Sequence, residues 1–183
     1  MMHAIAALAY GVDGLEPVDF VVGPGNRWVT AAKALVSGRV GIDMLAGPSE
    51  LLVVADAGTC AETIAADLLA QAEHDVDARA ILVTKDQSLI AQVNEALTRQ
   101  LSTLSTADTA AAALQNGFAV LCNDDDELVA TVDLVAPEHL ELLGPEAESL
   151  AERIGHYGGL FIGRGAAEVL GDYGAGPNHT LPT

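Results

Sequence analysis

Positive charge is scarce in this 183-residue chain: Lys and Arg number 8 against 26 Asp and Glu, for a formal net charge of -18. Phosphate binding works by neutralisation with Lys and Arg, so the balance argues against a nucleic-acid partner. An anionic membrane surface is disfavoured on the same ground. Aromatic residues are only 4% of the chain, which leaves a core of small and branched aliphatics, suited to helices packed tightly on strands. Cysteine is down to 2 residues, Cys60 and Cys122. Both sit in apolar surroundings without C-x-x-C spacing and read as buried free thiols of a reducing, cytoplasmic compartment. No apolar run approaches the ~18–20 residues needed to span a bilayer. The opening residues 1–8 lack the basic start of a signal peptide. No internal repeat or low-complexity linker interrupts the chain.

What is present points to an ordered protein. Hydrophobic residues make up 50%, enough to exclude wholesale disorder, and the length suits one domain or a piece of two. Short apolar runs alternate with helical patterns. Residues 18–22 form a β-branched run that stops at Gly23-Pro24-Gly25-Asn26, and residues 28–36 read as a helix. Extended runs follow at 42–45 and 51–54. Thr59, with Glu62 three residues on, has the form of a capping box for a helix reaching residues 71–73. A strand at 80–83, an amphipathic helix at 88–101 and a helix at 106–114 come next. A strand is expected at 118–122, and the acidic residues 124–127 open a further helix. The apolar run 134–136 reads as a strand end, residues 147–154 as a helix and 160–162 as the last strand. The pattern is α/β, with mostly parallel sheets and flanking helices.

Several segments carry side chains able to do chemistry. The Gly23-Pro24-Gly25-Asn26 turn puts backbone N–H groups at a helix N-terminus, where a phosphate could sit; a tight strand-to-helix turn would use the same residues. Gln71 and His74 are three apart, so on a helix an amide oxygen and an imidazole share a face and can reach one ion or ligand. An ordinary surface helix end would look the same. Pro137-Glu138-His139 sets a carboxylate beside an imidazole, suited to stepwise proton transfer, after what reads as a strand end. A solvated Glu with a structural His is the alternative. The glycine-rich loop at 171–179 offers Asp172 and His179 as further ligands. From the pattern, His3 and His156 are ordinary helix or turn residues. If the fold gathers the other segments, a site of mixed N and O ligands results, compatible with Zn²⁺.

Taken together the segments resemble the histidinol dehydrogenase family. The resemblance lies in Val22-Gly23-Pro24-Gly25-Asn26, Gly41-Ile42-Asp43-Met44 with Ala46-Gly47-Pro48-Ser49-Glu50, residues 65–74 ending in Gln71-Ala72-Glu73-His74, Ala136-Pro137-Glu138-His139-Leu140, and residues 171–179. Their order and intervals fit over essentially the whole chain. The family oxidises L-histidinol to L-histidine through the aldehyde with two NAD⁺ and a catalytic Zn²⁺. The resemblance implies Gln71, His74 and Asp172 as zinc ligands, and Glu138 and His139 as the acid/base pair. It further implies Ser49, Gln71, His74, His139 and Asp172 as substrate contacts and Asn26 as a dinucleotide contact. The position where the family carries a glutamine for the dinucleotide is His3 here.

The match covers less than half of the family's length, so the chain is expected to be a fragment of a homodimeric enzyme, inactive alone. A remaining histidine ligand and a substrate-binding glutamate would come from the missing C-terminal part, across the dimer interface. With three of the four protein ligands, zinc is expected to bind weakly. Residues 1–50 are expected to end one incomplete Rossmann-like domain and residues 51–183 to form most of a second. Exposed sheet edges would follow from the missing strands. Two other readings compete: a same-fold dehydrogenase of another polar alcohol, such as a sulfonated diol, and a non-catalytic α/β binding module.

Overall fold

The computed structural model describes residues 2–23, 25–43, 45 and 49–167. The chain divides into two units, Met1–Gly47 and Pro48–Thr183.

In the first unit, helix α1 (Met2–Tyr10) and helix α2 (Arg27–Val36) accompany two short strands, β1 (Phe20–Val21) and β2 (Gly41–Ile42), paired in parallel. Ile5, Ala9, Val21, Val29, Ala32, Val36 and Val40 form its core. The spacing of Val29, Ala32 and Val36 is the helical i, i+3, i+7 stripe.

The second unit is built on five parallel strands in the order β5-β4-β3-β6-β7. They are β3 (Glu50–Ala55), β4 (Arg79–Thr84), β5 (Phe118–Leu121), β6 (His139–Leu143) and β7 (Gly159–Ile162). Between them run α3 (Ala61–Ala72), α4 (Gln87–Leu101), α5 (Ala107–Ala113), α6 (Asp125–Val135) and α7 (Pro145–Ser149). Leu51, Leu52, Val53 and Val54 of the central β3 are all fully buried, as a strand covered on both faces requires. Leu51, Val53, Ala80, Leu82 and Leu143 meet Ile64 and Leu68 of α3 and Leu89 and Val93 of α4 on one face. Leu52, Val54, Ile81, Val83, Leu140 and Leu142 meet Leu128 and Val132 of α6, with Ala147, Leu150 and Ile154, on the other. The edge strand β5 leaves Phe118 and Leu121 partly exposed.

Four local expectations need correction. Residues 134–136 are not a strand end: Leu134 and Val135 finish α6, and Ala136 caps it in the left-handed conformation at φ 47. Pro137 follows, where the ring and missing N–H forbid a further helical turn. Strand β6 then starts at His139, a strand hidden from pattern reading because its His and Glu interrupt the apolar run. Thr59 does not cap α3. Its hydroxyl donates to the Leu143 carbonyl at 3.1 Å, the N-cap is Cys60, and no side chain bonds the first turn. Helix α7 ends at Ser149, short of the expected residue 154. Cys60 is exposed, and only Cys122 is a buried thiol.

Candidate active site

Glu138 and His139 sit at the amino end of β6, beside the amino end of β3, because Leu51 pairs with His139 in register. This corrects the expectation of a site following a strand end. The chain reaches them from a helix, and they lie at the opposite edge of the sheet from the carboxyl-end crevice that usually binds ligands in open α/β folds. At the carboxyl ends of β3 and β6, where the strand order reverses, the protein's own groups meet. Asp56 accepts from the N–H groups of Glu146 and Ala147 at 2.7 and 2.9 Å, so a carboxylate already occupies the N-terminus of α7. Gly144, at φ +113, passes so near that a Cβ there would lie 2.5 Å from Asp56 Oδ2.

At the amino edge the polar groups are arranged differently. The Ser49 hydroxyl donates to Glu138 Oε2 at 2.8 Å and the Glu50 N–H to the same oxygen at 3.3 Å. His139 Nδ1 lies 3.2 Å from the Glu50 carbonyl oxygen and 3.9 Å from Glu138 Oε2. Both side chains are mostly covered yet reachable, with 13% of His139 and 17% of Glu138 exposed. The Phe161 ring packs against the imidazole at 6.0 Å between centroids. A carboxylate and an imidazole so held can exchange protons with a third molecule, which a solvated surface pair would do without orientation.

Gln71 closes the buried stripe Ile64, Leu68, Gln71 of α3. That stripe packs on the sheet face bearing Leu51, and the register gives His139 the same face. The Gln71 side chain is fully buried, and neither amide atom finds a hydrogen-bond partner among the described residues. Burying an amide without partners is costly, so its oxygen suits a ligand role. His74 lies beyond the end of α3 rather than on it, in a turn closed by its N–H on the Gln71 carbonyl at 3.4 Å, and it is exposed. Among the described residues, no three His, Cys, Asp or Glu side chains gather as a metal cage. Asp172 and His179 lie outside the described residues.

In the first unit, His3 and Asn26 line one cavity of about 420 Å³ with Met2 and Trp28. Asn26 Oδ1 accepts from the N–H groups of Trp28 and Val29, at 3.2 and 3.3 Å. The helix N-terminus proposed for an anion is therefore capped by the chain's own amide, and the Asn26 Nδ2 group is the remaining donor. Sequence reading missed the device that holds this turn. Lys33, buried on the apolar face of α2, bonds the Gly23 carbonyl and Asp43 Oδ1, both at 2.5 Å, while the Gly23 N–H donates to Asp43 Oδ2 at 2.8 Å. A lysine four residues after Val29 and three before Val36 was the available signal, since a charge in an apolar stripe needs a buried partner. Gly23 itself stands at φ +133, a conformation reserved for glycine.

Fold and site thus define a parallel α/β protein with a carboxylate–imidazole pair at the amino edge of its main sheet. Residues 2–183 match the family model described as histidinol dehydrogenase. The histidinol dehydrogenase of Acinetobacter baylyi is 50% identical over 182 residues, covering 99% of this chain. That of Caulobacter vibrioides is 51% identical over 181 residues. The crystal structure of histidinol dehydrogenase from Elizabethkingia anophelis superposes with a TM-score of 0.91 at 41% identity, covering 98% of this chain. The chain belongs to the histidinol dehydrogenase family, and it spans about 42% of the length of these relatives. Among the described residues no helix is long and apolar enough to cross a membrane.

Proposed function

We propose that the full-length enzyme carrying this chain is a homodimeric L-histidinol dehydrogenase that makes L-histidine through the aldehyde. The observation that carries this reading is the Glu138–His139 pair tied to Ser49, on a sheet edge shared with the orphaned amide of Gln71. His139 takes the proton of the alcohol as its hydride leaves. Glu138 takes a proton from the water that adds to the aldehyde, and the hydrate loses the second hydride to become the carboxylic acid. NAD⁺, two per turnover, accepts the hydrides. Gln71, His74 and Asp172 would hold Zn²⁺, which when bound supplies a Lewis acid anchoring the substrate's imidazole and amine. Ser49, Gln71, His74, His139 and Asp172 contact the substrate, and Asn26, through Nδ2, and His3 contact the dinucleotide. The two units are read as portions of two incomplete Rossmann-like domains.

The test is NADH formation by the full-length enzyme with L-histidinol against a sulfonated diol, with zinc measured after dialysis. Turnover with histidinol and retained stoichiometric zinc are expected. Undiminished turnover after exhaustive chelation, or a preference for the diol, overturns the reading.

A further inference from the structure

The start of β3 meets the acid/base pair through three groups of two adjacent residues. Both donors, the Ser49 hydroxyl and the Glu50 N–H, fall on one oxygen of Glu138, Oε2. The Glu50 carbonyl faces His139 Nδ1 at 3.2 Å. A carbonyl oxygen can only accept, so a hydrogen bond at that distance requires the proton on Nδ1. In the neutral ring the lone pair is then on Nε2.

We infer that Ser49 and Glu50 form a clamp that orients the pair, holding Glu138 by Oε2 so that Oε1 is its working oxygen and holding His139 by Nδ1. Glu138 is fixed through Oε2 by one side-chain donor and one main-chain donor. A main-chain acceptor at Nδ1 favours the Nδ1–H tautomer of His139. Ser49 is therefore a positioning residue for Glu138, in addition to any contact with substrate. Its loss loosens the carboxylate while leaving the imidazole held. The inference rests on the reading of Glu138 and His139 as the acid/base pair, and it separates their two steps. Water addition to the aldehyde depends on the orientation of Glu138; removal of the alcohol proton depends on that of His139.

Two measurements test it. In the 183-residue chain with ¹⁵N-labelled histidine, at a pH where the ring is neutral, His139 is expected to show a protonated Nδ1 and an unprotonated Nε2. The opposite tautomer overturns the clamp whatever the protein's activity. In the full-length enzyme, Ser49→Ala is expected to slow oxidation of the aldehyde by about 10- to 100-fold, the scale of a misplaced catalytic group. Oxidation of the alcohol to the aldehyde should slow by less than about a third of that factor. Ser49→Thr, which restores the hydroxyl, should recover most of the loss. Equal slowing of both half-reactions, a rise in KM with kcat unchanged, or no recovery in Ser49→Thr overturns the positioning role. Full aldehyde oxidation by Glu138→Gln would instead sink the parent reading, a result distinct from each of these.

Discussion

At the carboxyl edge of the five-stranded sheet, Asp56, Asp86 and Asp124 each aim a carboxylate at the first turn of a helix, α7, α4 and α6 respectively. At the amino edge, Glu138 takes its hydrogen bonds from the start of a neighbouring strand, beside an imidazole and on a sheet face with a buried, unpartnered amide. At the first edge, three aspartates are taken up in satisfying helix N-termini. At the other, a carboxylate and an imidazole are held side by side by the start of β3. Helix N-termini attract anions, and at the carboxyl edge the chain, with 26 acidic residues, supplies three of them itself. On the proposed reading, stability and chemistry fall at opposite ends of the same strands.

The sharpest way to break that division is Glu138→Gln. In the full-length enzyme aldehyde oxidation should fall roughly 10²–10⁴-fold, the usual weight of a general base, while the denaturation midpoint stays within error or rises. A stability loss as large as that of the carboxyl-edge variants would mean that Glu138 is structural. Asp56→Ala is the mirror experiment. Removing two hydrogen bonds to the first turn of α7 should cost about 1–2 kcal/mol of unfolding free energy, read by urea titration of the chain, with kcat of the full-length enzyme unchanged. A catalytic defect there would show that the two edges are not separate.

Gln71→Met probes the cost carried at the working edge. Replacing an amide buried without partners by an apolar side chain of similar size should raise stability by about 1 kcal/mol, while the full-length enzyme loses zinc. Destabilisation, or unchanged zinc content, would contradict the ligand role. The carboxyl edge should also weaken first in acid. Hydrogen bonds from the Ser88 side chain and N–H hold the Asp86 carboxyl below its ordinary 3.8, and Lys85 does the same for Asp125. A depressed carboxyl contributes stability above its unfolded value, lost as pH falls through the lower folded one. Stability should therefore decline below about pH 4, and Asp86→Asn should flatten the decline.

How much of this was legible in the residues follows from what each kind of signal reports. The apolar runs of β3 and β4 are continuous because both faces are buried, and so the core strands read directly. Strand β6 did not, since His139 and Glu141 on its α3-facing side break the run, and both stand on the face toward the site. Glu138 and His139 were visible as an acid beside a base, but their edge of the sheet was misjudged once the end of α6 was taken for a strand. Ser49 was visible only through family resemblance. Its bond to Glu138 spans 89 positions, a separation no local pattern encodes. The capping role assigned to Thr59 failed for a related reason: its hydroxyl is taken by the Leu143 carbonyl of β6, a partner that exists only after the sheet has formed.

The smallest effect concerns α3, which among the described helices leaves the carboxyl edge without a side-chain cap. Helix α3 begins after Cys60, whose thiol lies exposed where α4 and α6 have an aspartate and where α7 is served by Asp56, just past β3. The N–H and hydroxyl of Thr63 near the sulfur lower its pKa below the ordinary 9.0, and a helix N-terminus favours the thiolate further. Cys122, just past β5, is the opposite case: burial pushes its thiol up, and the carboxylates of Glu127 and Asp124 add to the effect. Iodoacetamide near pH 8 should modify Cys60 well ahead of Cys122, since the rate follows the thiolate fraction and the two thiols are shifted in opposite directions. Because the thiol makes no capping hydrogen bond, Cys60→Ala should change stability by less than about 0.5 kcal/mol, against the larger loss in Asp56→Ala. Equal labelling of the two thiols would place Cys60 in the same protected setting as Cys122 and erase the distinction between capped and uncapped helices on this edge.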